Sequence, residues 1–116
     1  MPGELEAMLA GLEEPTRAAV VRVYDRARAL VPDAVDGLGY GMPALVHRGR
    51  PLVAVRPAAR HIGLYPFSPA AIDAVRPELV GFALSKGTVR FTPERPVPDD
   101  VLDRLLTVRR DEIECA

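Results

Sequence analysis

Leu38-Gly39-Tyr40-Gly41-Met42-Pro43-Ala44-Leu45-Val46-His47-Arg48-Gly49-Arg50-Pro51-Leu52-Val53-Ala54-Val55 decides the fold class. From Leu38 to Met42, large and absent side chains alternate, the period-two pattern of a strand. Pro43 interrupts it. Leu45-Val46-His47 and Leu52-Val53-Ala54-Val55 then flank Arg48-Gly49-Arg50-Pro51, a hairpin signal with glycine in the turn. Pro57-Ala58-Ala59 gives a second turn, and His61-Ile62-Gly63-Leu64-Tyr65 a third pairing strand. Ser85-Lys86-Gly87 is a turn before a last strand, Thr88-Val89-Arg90-Phe91.

Outward from this centre the period lengthens. Leu5, Met8, Leu9 and Leu12 repeat at helical spacing and predict a short helix over 4–13. Pro15 suits a first helical position, and Val20, Tyr24, Ala27 and Val31 form one stripe of a helix over about 15–30. Pro66, Ser68 and Pro69 open a short helix over about 70–75. Pro93, Pro96 and Pro98 make an extended linker. Asp99 and Asp100 then start a closing helix, as caps and as charges facing the positive dipole end. Val101, Leu102, Leu105, Leu106 and Val108 give that helix its apolar face. The order predicts one α+β domain over 1–116. Its antiparallel strands lie within about 37–91, with the N-terminal and C-terminal helices packed on one sheet face. Tyr40, Ile62, Leu64 and Phe91 are expected to be buried.

With 116 residues, the chain is long enough for one domain with a real core and short for two. Fifteen basic residues face sixteen acidic ones, which argues against a general polyanion binder and so against nucleic acid as partner. Fourteen of the basic residues are arginine, which makes the single lysine, Lys86, the more informative one. The lone cysteine, Cys115, cannot staple its own chain. The N-terminus lacks a basic start with an apolar run, and no stretch is long enough to span a bilayer, so the expectation is a soluble cytoplasmic protein without a membrane partner.

Four blocks carry a resemblance: Tyr40-Gly41-Met42-Pro43; Gly49 with Pro51-Leu52; His61-Ile62-Gly63-Leu64-Tyr65-Pro66; and Ser85-Lys86-Gly87-Thr88-Val89-Arg90-Phe91. In this order and spacing the chain resembles the YdhG-like family of small bacterial proteins, from about Glu4 to Glu112. It departs at Leu45, where the family often has an aromatic, and at Ala59-Arg60, where it usually has a lysine ahead of the histidine. Asp36 can fill the place of the acidic residue that commonly precedes the tyrosine strand. The resemblance implies an α/β fold with an antiparallel sheet. One branch of the family is described as frataxin-like, which implies a non-enzymatic iron chaperone whose partners are iron–sulfur cluster assembly or haem-synthesis proteins.

Two candidate sites follow. Weakly bound iron needs hard carboxylate donors. Glu4, Glu6, Glu13 and Glu14 near the start, with Asp111, Glu112 and Glu114 near the end, would form one acidic surface if the terminal helices pack side by side. Asp33 and Asp36 add a smaller group. Solvation of short helices explains the same charges without a metal. The other site is a metal-free ligand or partner face. His61 and Tyr65 share a strand face that Gly63 leaves bare, and Gly39 and Gly41 strip a face in the same way. Bare positions admit a closely packed element or a ligand. If that face is open, Arg60, His61, Tyr65 and Lys86 could line an anion-binding cleft. His47, beside a hairpin turn, is expected to be exposed, and two histidines without a cysteine partner nearby do not suggest zinc. Lys86-Gly87-Thr88 lacks the glycine-rich run and following helix of a phosphate loop. No serine or cysteine sits in a nucleophile elbow. Tyr40, Met42, Phe82 and Phe91 read as core.

Overall fold

The computed structural model describes residues 3–116. Six strands form one antiparallel sheet: β1 (Val35–Gly39), β2 (Met42–His47), β3 (Arg50–Pro57), β4 (Ile62–Tyr65), β5 (Ala83–Ser85) and β6 (Thr88–Phe91). Their order across the sheet is β1-β2-β3-β4-β6-β5. The helices are α1 (Glu4–Ala10), α2 (Thr16–Leu30), α3 (Pro69–Val75) and α4 (Asp99–Glu114), with a 3-10 turn over Arg76–Leu79. The chain leaves β4 through α3 and that turn, forms the outer strand β5, and returns beside β4 as β6. The architecture is α+β, as expected, and the strands begin two residues earlier than 37.

Alternation places the core. Leu45, Val53, Val55, Ile62, Leu64, Val89 and Phe91 turn one sheet face towards Val20, Val23, Tyr24 and Ala27 of α2 and Leu102, Leu105 and Leu106 of α4, all buried. At about 25 cal/mol per Å² of apolar area, this shared layer is the main stabilising term. α2 and α4 are also joined at their rims, where Arg22 pairs with Asp99 and Arg26 with Asp103. α3 has a true N-cap: Ser68 Oγ accepts from Ala71 N at 3.0 Å, with Pro69 at the first helical position.

Three expectations need correction. The stretch 38–42 is not one strand. β1 ends at Gly39, and Tyr40 and Gly41 form a two-residue turn with φ of +52° and +79° into β2. This is the left-handed geometry that hairpin turns require. Tyr40 is therefore not core: it is 87% exposed, its ring stacked on Phe67 with centroids 5.5 Å apart. Met42 and Phe82 are only half-buried. His47 is not exposed either. It is 3% exposed, turned towards α4, where its Nε2 lies 2.9 Å from Glu114 Oε2. The short outer strand β5, unforeseen from the sequence, pairs with β6 through Ala83 and Arg90, Leu84 and Val89, and Ser85 and Thr88.

Between β2 and β3 the ladder stops at the Ala44–Ala54 pair. Beyond it, the hydroxyl of Tyr24 enters from α2. It accepts from Val55 N at 2.8 Å and donates to Pro43 O at 3.3 Å, filling the rung that the two strands no longer make directly.

Candidate functional site

The sheet face turned away from the helices is stripped of side chains at several places, and the structure shows what fills them. A Cβ on Gly39 would fall 2.7 Å from Phe67 Cζ and 2.8 Å from Pro51 Cβ, so this position is packed by the chain itself. Gly63 is covered by the ring of Tyr65, whose Cε2 would lie 3.0 Å from a Cβ there. Neither glycine leaves a vacant site or receives a helix.

The face stays open at the far end of β4. There a cleft of about 310 Å³ is lined by His61, Phe82, Arg90, Thr92 and Arg95, with Gly81, Ala83 and Phe91. Local sequence explains its build. Val89 and Phe91 point into the core, so Arg90 between them points out, opposite Gly63 on β4 and Ala83 on β5. His61 precedes the buried Ile62 and takes the outward side, half-buried. Thr92 and Arg95 close a tight turn after β6, in which Arg95 N donates to Thr92 Oγ1 at 3.1 Å. The Arg95 guanidinium lies over the Phe82 ring, 4.9 Å from its centroid, and donates to Val80 O at 3.3 Å. Gly81 makes this possible. Its φ of +89° is one that L side chains rarely adopt, and a Cβ there would crowd the Arg95 guanidinium. No carboxylate is among the lining residues.

Of the four expected ligand residues, only His61 lines this cleft. Arg60 is exposed in a smaller hollow on the other side of His61, beside Glu94. Tyr65 lies half-buried over Gly63, on the same face but farther along β4. Lys86 is exposed in the β5–β6 turn, at the opposite end of the strands, in a hollow with Asp73 and Arg76. Arg90 and Arg95 take the places given to Arg60 and Lys86. The alternation Val89-Arg90-Phe91 signals the first. The second depends on a contact with Phe82 across thirteen positions, which spacing does not reveal.

The carboxylates are not gathered. α1 rests on β1, β2 and α2, whereas α4 rests on α2, α3 and β3, so the terminal helices are not a side-by-side pair. Glu4, Glu6 and Glu13 stand exposed. Glu14 pairs with Arg17 and accepts from Ala18 N, Asp111 pairs with Arg110, and Glu112 accepts from Ser68 Oγ and pairs with Arg109. Glu114 is tied to His47, and that hydrogen bond, more than any other influence, holds its carboxyl below the usual carboxylate range. Among the described residues, no group of three or more His, Cys, Asp or Glu is placed to hold a metal ion. The donor set expected for iron therefore does not fit one coordination sphere here.

Cations divide in the same way. Arginines on the helices and the 3-10 turn have carboxylate partners. Arg48, Arg50, Arg56, Arg60, Lys86, Arg90 and Arg95, all on strands or the turns beside them, have none within ion-pair distance among the described residues.

Comparison with solved structures gives a match over nearly the whole chain. A Bacillus subtilis protein of the DUF1801 family, YdhG, superposes with a TM-score of 0.81, covering 97% of this chain and 94% of that one at 18% identity. The chain has the YdhG-like fold. No family model matches the sequence, and no curated protein matches it. At this identity the likeness carries the YdhG-like architecture, and the chemistry must be read from the chain's own side chains. No helix among the described residues of this YdhG-like domain is long and apolar enough to cross a membrane.

Proposed function

We propose that this YdhG-like domain is a binding module that takes an oxyanion-bearing small molecule, a phosphate or carboxylate, in the cleft at the end of β4. The observation that carries this reading is the convergence of His61, Arg90 and Arg95 on one concavity with no carboxylate in its lining. A guanidinium presents a planar fork of donors that matches carboxylate and phosphate oxygens, and charge-assisted bonds of this type are about twice as strong as neutral ones. Arg95 is already oriented by Phe82 and Val80 O, so less side-chain freedom is lost when a ligand arrives. Iron carriage by the terminal carboxylates would need donors brought together, and the fold distributes them among separate partners.

Titration calorimetry with inorganic phosphate and with citrate tests the reading. Binding is expected to weaken at least tenfold in Arg90→Gln and in Arg95→Gln, and to decline with salt because the cleft is open. Lys86→Gln serves as control and leaves binding unchanged. Absence of heat with either anion on the unmodified protein would refute the assignment. Anaerobic titration with ferrous iron, in the same series, separates the alternative. Iron binding that survives Arg90→Gln but disappears when Glu6, Glu13 and Asp111 are neutralised would favour carboxylate carriage instead.

A further inference from the structure

A second concavity, which shares no lining residue with the arginine cleft, lies between the end of α1 and the β1–β2 turn; its Arg56 stands opposite Gly63, across from Arg90. It is about 450 Å³ in volume, within the size range of small-molecule sites. Met8, Leu12, Met42 and Pro43 supply apolar walls, Tyr40 lies at its mouth, and Arg56 is the one charged residue in its lining. From these features we infer that this groove binds a small amphiphile, with an apolar body against the methionines and a single anionic group on Arg56.

Two independent observations point to a ligand here. The first is Tyr40. A bulky aromatic residue at φ +52° is a backbone outlier, because its Cβ crowds the chain in the left-handed region. Arg48 and Phe67 share this conformation, with φ of +52° and +56°, so the turn accounts for the backbone; what sets Tyr40 apart is that its ring stands exposed beside the groove. The ring gains little from the protein in return, being 87% exposed with one face on Phe67. An asparagine would satisfy this turn better. The second is Arg56. It is exposed, with no hydrogen bond or carboxylate partner among the described residues, and it stands beside an otherwise apolar lining. One unmatched cation at the rim of an apolar groove complements one anionic group on an apolar body. The groove floor is firm, since the Tyr24 hydroxyl bridges Pro43 and Val55 directly behind it. Methionine walls suit apolar bodies of varied shape, because the unbranched thioether repacks easily.

The test uses decanoate and decanol as probes, with binding measured by calorimetry and by shifts of the methionine methyl signals in NMR spectra. Decanoate is expected to bind the full chain at least tenfold more tightly than decanol. Arg56→Gln removes that preference and leaves decanol binding unchanged. Tyr40→Asn weakens both probes while the melting temperature holds or rises, because asparagine accepts the left-handed conformation; loss of binding then cannot come from misfolding. Arg90→Gln leaves decanoate binding intact, which keeps this site distinct from the phosphate cleft. Equal affinity for the two probes, or no effect of either substitution, overturns the inference. So does sedimentation that shows a dimer abolished by Tyr40→Asn in a protein that binds neither probe, since the groove would then be a contact between two copies.

Discussion

Removing one oxygen atom, in Tyr24→Phe, should destabilise the domain more than its size suggests. Tyr24 is fully buried, and its ring belongs to the apolar stripe of α2. Phenylalanine would keep that packing. What is lost is the hydroxyl that accepts from the buried Val55 N–H at 2.8 Å and donates to Pro43 O. Val55 is 3% exposed, and a buried donor left unpaired costs about 1–3 kcal/mol. A central figure of about 2 kcal/mol lowers the folded-to-unfolded ratio roughly thirtyfold. For a chain of this length it lowers the melting temperature by roughly 6–10 °C. Urea unfolding followed by circular dichroism should show a lower midpoint with an unchanged slope. A second signature is alkaline. Burial pushes the Tyr24 phenol from 10.0 up to about 12. The unfolded chain therefore loses this proton first, near pH 10, and the folded chain only near 12. Stability owed to the protonated phenol is complete below pH 10 and is lost between about 10 and 12. Phenylalanine has no such loss, so the gap between the two proteins should narrow over that interval. A variant within about 0.5 kcal/mol of the parent at neutral pH would refute the idea that this hydroxyl replaces a rung of the β2–β3 ladder.

Gly39→Ala should cost about 1–3 kcal/mol, since the new methyl meets Phe67 and Pro51 inside contact distance; Gly63→Ala should cost less, because only the swinging ring of Tyr65 stands in its way. Chemical denaturation of the two variants in parallel checks the order. Glu114→Gln should flatten the acid side of the stability profile. The Glu114 carboxyl is held below its ordinary value of 4.5 chiefly by His47, so the stability it contributes is present above that pH and is lost as pH falls below it. Unfolding followed between pH 6 and 2 should show a shallower decline in the variant, and superimposable curves would count against the pair.

Periodicity made the core legible. Val20, Tyr24, Ala27 and Val31 are all buried, and Ile62, Leu64 and Phe91 face the helices as alternation requires. Ser68-Pro69 opens a helix because a cap and a proline act within four residues. Tyr40 defeated the same logic. An alternation of large and absent side chains looks identical in a strand and in a strand running into a turn, and only the sign of φ separates them. Asparagine before Gly41 would have announced the turn; tyrosine did not. His47 failed for another reason. Its partner, Glu114, is 67 positions away, and no local pattern shows that α4 ends beside β2. The cleft was half legible. Alternation turns His61 and Arg90 outward, but which outward residues share a concavity depends on strand order, and β6 inserts between β4 and β5. That insertion places Lys86 at the wrong end and brings Arg95 near.

The near-zero net charge excluded a uniformly basic surface, yet it says nothing about how charge is divided. In this fold the arginine–carboxylate pairs among the described residues are all made by arginines of the helices and the 3-10 turn: Asp99 and Asp103 serve α2, Glu78 serves Arg104, and Glu112 serves Arg109. Such exposed pairs contribute little stability individually, with a median of about 0–1 kcal/mol. Their larger consequence is electrostatic partition, because carboxylates used between helices are not on the sheet. Strand cations such as Arg56 and Arg90 are left unmatched on a chain whose formal net charge is −1. The cleft then holds two unmatched arginines and the groove one. In the cleft beside His61, Arg90 and Arg95 act together and suit a compact oxyanion. In the groove beside Tyr40, Arg56 acts alone among apolar walls and suits an anion carried on a hydrophobic body. The same partition predicts different responses to salt. Binding in the cleft relies on charge and should fall steeply as salt is added, whereas in the groove decanol binding should hold and only the preference for decanoate should fade. If salt weakened both equally, a shared electrostatic surface would replace two separate sites.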